Sequence, residues 1–144
     1  METDQGRHQL ALDFSQRLRA SNCVVVYSSL IFIEAPQCWR RMYARGLFVS
    51  NEPSGDVVSD RINAFKKADN LLSELLASFR RRRIAITGRL MSAASRLVAV
   101  FNLKAHDALV VAIAREIGIP DIASFDRDFR RVDEIELWDG PLPP

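Results

Sequence analysis

LKAHDALVVAIAREIGIPDIASFDRDF, residues 103–129, is the stretch on which the fold turns. Its first half reads as a helix over 107–116, apolar at every position from Ala108 to Ala114 and stopped by Gly118. A helix that is apolar all round is a buried one. Its second half reads as a strand over 121–125. One carboxylate, Asp107, stands at the head of the helix, and another, Asp126, follows the strand. A buried aspartate costs several kcal/mol unless it is paired, hydrogen-bonded or bound to a metal. Two of them beside an apolar centre call for a cation.

Working outward, strands and helices keep alternating. Residues 23–27, CVVVY, are apolar throughout and suit a parallel strand covered on both faces. Ser28 and Ser29 then cap a helix running towards Arg45, with Pro36 predicting a kink or restart and Gly46 a stop. An amphipathic helix over 7–20 comes before, carrying Leu10, Ala11, Phe14 and Leu18 on one face. Pro53 and Gly55 mark a loop over 51–56. A long helix over 59–82 follows, striped with Ile62, Phe65, Leu72, Leu75, Leu76 and Phe79, and it ends in Arg80, Arg81, Arg82 and Arg83. A strand over 84–86, a helix over 89–101 and a last strand over 134–138 complete the order. This alternation predicts an α/β fold, a parallel sheet with helices on both faces. Ligands of such sheets gather at the carboxyl ends of the strands.

The 144 residues suffice for one domain with its own core. At 48% hydrophobic and 26% charged, the composition is that of an ordinary globular chain. No apolar run approaches the ~18 residues of a membrane span. The polar opening METDQGRHQ makes neither a secretory signal nor a transit peptide, so a cytoplasmic protein without a membrane partner is expected. Cys23 and Cys38 lack metal-site spacing and read as reduced thiols. A net charge of +2 is too small to announce a nucleic-acid partner, so any such surface must come from local clustering.

Three carboxylates fall near predicted strand ends: Glu34, Asp107 and Asp126. Each has an ordinary explanation when taken alone. Glu34 fits a solvated helix position, although Ile31, Phe32, Ile33 and Ala35 around it are apolar. Asp107 fits a first-turn acid complementing the helix dipole. Asp126 fits a turn, and Asp128 more so. As a set they repel one another, and a divalent cation resolves the conflict. An all-oxygen set suits Mg2+ or Mn2+ rather than zinc, and neither His8 nor His106 has a ligand-like neighbour. Mg2+ on carboxylates lowers the pKa of a bound water and stabilises charge on a phosphate, which is the apparatus of phosphodiester hydrolysis.

On these residues the chain resembles the PIN domain, a Mg2+/Mn2+-dependent ribonuclease fold, and most nearly the VapC-type toxins of toxin–antitoxin pairs. AHDALVVAIAREIGIPDIASFDRDF carries the likeness; VVVYSSLIFIEA is similar to the family's second strand and glutamate-bearing helix, and IELWDG to its last strand. The resemblance implies a single PIN-like domain over 1–144, a three-layer α/β fold with the parallel sheet between helices. It implies a helical arm at about 59–83 for dimer and antitoxin contacts. Glu34, Asp107 and Asp126 would be the catalytic acids and ligands of Mg2+ or Mn2+, with Ser124 and Asp128 beside them rather than among them. The likeness departs at the amino end. The family's first strand lies in the middle of the sheet and ends in an aspartate, whereas METDQGRHQ passes directly into the first helix and Asp4 has no strand before it. A PIN-like chain without its central first strand is therefore implied, with sheet edges open to pairing.

The function expected from this likeness is a metal-dependent endoribonuclease, the toxin of a toxin–antitoxin pair, with RNA as substrate and an antitoxin and a second copy as partners. The alternative is a catalytically impaired, truncated remnant that binds an antitoxin-like partner or RNA. Arg80, Arg81, Arg82 and Arg83 read either as a solvated helix end favoured by the dipole or as contacts to RNA phosphates, extended by Arg40, Arg41 and Arg45. Nothing resembles an RNA-recognition sheet with stacking aromatics, and Trp39 and Trp138 read as core or interface residues. A phosphoacceptor receiver domain fits less well: Ser28 and Ser29 stand where it needs an acidic pair, and no lysine follows Lys104.

Overall fold

The computed structural model describes residues 4–21, 23–44 and 56–139. Arg45, the stop expected at Gly46 and residues 51–55 of the loop expected over 51–56 lie outside the described residues. In chain order the elements are α1 (Asp4–Ala20), β1 (Val25–Ser28), α2 (Ile31–Ala44), α3 (Val57–Ala77), β2 (Arg81–Ile84), α4 (Gly88–Phe101), α5 (Ala105–Ile117), β3 (Asp121–Ala123), a 3-10 turn (Arg127–Arg131) and β4 (Glu136–Trp138). Two compact units divide them: Cys23–Ile84 forms one, and Met1–Asn22 with Ala85–Pro144 the other.

In the Cys23–Ile84 unit, β1 and β2 pair in parallel, with Val25 opposite Arg81 and Ser28 opposite Ile84. Buried Ser28 ends the strand, and its Oγ accepts from the Leu30 backbone N–H at 3.3 Å, turning the chain into α2. The break expected at Pro36 is not observed: α2 is one helix with Pro36 inside it. Pro36 forfeits the bond to the Phe32 carbonyl, a single rung the helix does without.

Asp56 starts α3 two residues earlier than the sequence pattern predicts. Its carboxylate accepts from the Val58 N–H at 3.0 Å and the Ser59 hydroxyl at 2.6 Å. These bonds favour the charged form and hold its pKa below the ordinary value. At the other end Ser78 closes the helix, its N–H bonded to the Glu74 and Leu75 carbonyls and its hydroxyl to Leu75 O. The arginine run is therefore not a helix end. Arg81, Arg82 and Arg83 lie exposed in β2, with only Ile84 half-buried, and the strand expected over 84–86 is shifted towards them. Pairing with β1 outweighs arginine's helix propensity, and charged side chains suit a strand with an open edge. Within the expected stripe Leu76 is buried but Ile62 and Leu75 are 47% and 40% exposed, so α3 buries less than its pattern suggests.

The other unit is built on α4 and α5. Thr87 caps α4, its hydroxyl accepting from the Leu90 N–H at 3.3 Å. Leu90, Ala94 and Leu97 are buried at helical spacing. α5 is the core helix: Ala108, Leu109, Val111, Ala112, Ile113 and Ala114 are buried, and Gly118 closes it at a φ of 67°, where a side chain would be strained. Arg89 pairs with Glu116 between α4 and α5, and Arg115 pairs with Glu134 while its guanidinium lies over the Phe101 ring. β3 and β4 pair in parallel, Asp121 opposite Glu136, and Trp138 Nε1 donates to Asp121 Oδ1 at 2.8 Å. β3 is shorter than predicted because Ser124 and Phe125 already belong to the turn that delivers Asp126, and β4 starts at Glu136 rather than at 134.

The α/β alternation is thus observed, as two parallel two-stranded ladders, one in each unit. Cys23 and Cys38 are exposed and neither is held in a disulfide. Among the described residues no single helix is long and apolar enough to cross a membrane. Leu97→Ala, at a position 4% exposed, is expected to destabilise the fold by about 2–5 kcal/mol. Met91→Ala on the same helix, 52% exposed, is expected to change stability by under about 0.5 kcal/mol. Urea denaturation followed by circular dichroism measures both.

Candidate metal centre

The chain leaves α4 through Asn102, whose φ of 51° ends the helix, and buried Leu103 then anchors the approach to α5. Lys104 occupies the N-cap position in an extended conformation and its side chain makes no capping bond. Asp107 stands in the first turn of α5, and its side chain is 15% exposed. Its Oδ2 oxygen is buried and accepts no hydrogen bond, and the Lys104 ammonium lies 4.0 Å from it.

Asp126 arrives from the end of β3. Its backbone N–H donates to Ser124 Oγ at 3.0 Å, and its own Oδ1 accepts from the Asp128 N–H at 3.0 Å. These two local bonds fix the turn and point Oδ2 at Lys104 Nζ, 2.9 Å away. Asp128 divides its oxygens between two cations: Oδ2 lies 3.2 Å from Lys104 Nζ and Oδ1 2.9 Å from Arg131. Arg131 in turn donates to the Asn102 carbonyl at 2.8 Å, tying the turn to the end of α4. Asp107, Asp126 and Asp128 each offer an oxygen within 4.8 Å of the others.

The electrostatics follow from these contacts. The Asp128 backbone N–H, and after it the Lys104 ammonium, hold the Asp126 carboxyl below its ordinary range. Hydrogen bonds to Asp126 and Asp128 hold the Lys104 ammonium above the usual lysine value. Three hard carboxylates without a nitrogen or sulfur donor fit a Mg2+- or Mn2+-like ion.

Asp107 and Asp126 lie together, with Ser124 bonded to the second. Asp128, expected beside the ligands, places its carboxylate in the same group. The signal was the spacing Asp126-Arg127-Asp128, which an aspartate-led turn folds back on itself. Sequence reading singled out neither Lys104 nor Arg131; Lys104 stands three residues before Asp107, one helical turn away. Glu34 belongs to the other unit, half-buried in the first turn of α2, where it lines an apolar groove with Ile31, Trp39 and Leu72.

A family model described as PIN domain matches residues 54–135, more than half of the chain and the span that contains all three aspartates. Among curated proteins none matches the chain.

Because Asp126 titrates below its ordinary range in the folded chain, its contribution to stability is present above the unfolded carboxylate pKa and is lost as pH falls through the folded one. The melting temperature should therefore drop over roughly pH 5 to pH 2. Asp126→Asn should flatten that acid limb, and an equally steep limb in the variant would contradict the assignment.

Proposed function

The chain belongs to the PIN-domain family, and from that premise we propose that it is a metal-dependent endoribonuclease of VapC type, the toxin of a toxin–antitoxin pair. PIN domains are generally nucleases that use divalent metal ions. The convergence of Asp107, Asp126 and Asp128 beside the head of α5 carries this reading. Asp107 and Asp126 are assigned as acids that hold Mg2+ or Mn2+, with the Asp128 carboxylate in the same group. A cation held there would lower the pKa of a bound water and offset charge on the RNA phosphodiester under attack. The residues around it supply position. Ser124 sets the backbone of Asp126, Arg131 orients Asp128, and buried α5 keeps water away from the back of Asp107.

Arg81, Arg82 and Arg83, exposed along β2 and continuing Arg80, are assigned to the RNA phosphates. The exposed apolar side chains of α2 and α3, among them Phe32, Ile33, Ile62 and Leu71, are assigned to an antitoxin or a second copy. A cytoplasmic site of action accords with an RNA substrate.

A second reading is a remnant that binds RNA or an antitoxin-like partner without cleaving; Arg81, Arg82 and Arg83, exposed along β2, serve that binding equally well.

Cleavage of single-stranded RNA in millimolar Mn2+ separates the two readings. The wild-type chain should cut, and Asp107→Asn should fall to background; a wild-type chain that binds RNA without cutting supports the remnant. Replacing Arg81 and Arg83 with alanine should make RNA binding less salt-dependent, the slope shrinking by about 0.7 for each phosphate that is no longer neutralised. An unchanged slope would take the RNA away from β2.

A further inference from the structure

The carboxylate group already holds a cation that belongs to the chain. Lys104 Nζ lies 2.9 Å from Asp126 Oδ2, 3.2 Å from Asp128 Oδ2 and 4.0 Å from Asp107 Oδ2, one oxygen of each. We infer that Lys104 is a tethered placeholder, an ammonium that fills the carboxylate cluster and must leave when a divalent ion enters. The inference rests on the metal site proposed above and adds how that site is controlled.

Competition follows from the use of the oxygens. Asp126 Oδ1 is taken by the Asp128 N–H, and Asp128 Oδ1 by Arg131. The oxygens on Lys104 are those left for an ion. Size forbids sharing. Mg2+ needs its oxygens at about 2.0–2.1 Å, whereas the ammonium spaces them for its own longer bonds, so the cluster has to contract around the ion once Nζ has gone.

Charge favours the exchange. Three carboxylates against Lys104 and Arg131 leave one negative charge, and a divalent ion in place of the ammonium leaves none. The tether opposes it. An attached cation acts at a high effective concentration and gives up no translational freedom, so it competes well beyond its single charge. Among the described residues only these carboxylates hold it: the side chain is 66% exposed and makes no capping bond to α5. The metal-free chain is thereby protected from its own carboxylate repulsion, and the site fills only where divalent ion is plentiful.

Mn2+ titration followed by electron paramagnetic resonance tests this on the full chain. Lys104→Met keeps the stem and removes the charge; it should bind Mn2+ about tenfold more tightly than wild type, a coupling of ordinary allosteric size. Lys104→Arg keeps the charge and should bind as weakly as wild type. Metal-free Lys104→Met should melt lower than wild type and gain more from saturating Mn2+. Equal or weaker Mn2+ binding by Lys104→Met overturns the placeholder while leaving the site in place. No Mn2+ binding by either protein overturns the site and the placeholder together. If Lys104→Met does not fold, wild type decides. Mg2+ should shift the NMR signal of the Lys104 ammonium to that of a solvated lysine, and an unmoved signal during Mg2+ binding overturns the inference.

Discussion

Three carboxylates, Asp107, Asp126 and Asp128, bring oxygens within 4.8 Å of one another, and the contacts that hold them there run through the surrounding unit. Asp107 rides on a helix whose Ala108, Leu109, Val111, Ala112, Ile113 and Ala114 are core, so moving it outward means moving the core. Asp126 is pinned by its own turn, accepting from the Asp128 N–H while its backbone bonds to Ser124. Asp128 is held by Arg131, which is itself fastened to the end of α4. With escape closed on each side, the charge has to be met by a cation. Lys104 meets it within the chain.

The same constraint explains local features that otherwise look unrelated. The residues before α5 serve the cluster rather than the helix: Lys104 stands at the N-cap without capping it. β3 ends at Ala123 so that the chain can turn through Ser124 and deliver Asp126. The 3-10 turn then buries Phe129, with Val132 buried just behind it, anchoring the acidic loop to the apolar core. A rigid, buried scaffold presenting partly exposed charge is how proteins hold groups in place for chemistry.

Much of this was legible because burial leaves a strong mark on sequence. The unbroken apolar run of α5, its glycine stop and the flanking aspartates pointed to the core helix and to two of the three grouped carboxylates. Features decided by pairing between distant segments were not legible. The four arginines extend a helix pattern, yet Ser78 ends α3 and parallel pairing with β1 makes a strand of Arg81, Arg82 and Arg83. Pro36 predicts a break by its lost hydrogen bond, but one missing rung does not divide α2. Asp128 and Lys104 carry no periodic signal; their part depends on the fold of a turn and the direction of one long side chain.

Diffraction from crystals soaked in Mn2+, with anomalous differences recorded at an energy where manganese scatters strongly, tests the central claim most directly. The account predicts a peak between the carboxylates of Asp107, Asp126 and Asp128, with the Lys104 ammonium turned out to solvent. A cluster that still holds Lys104, with manganese bound elsewhere or not at all, would contradict it.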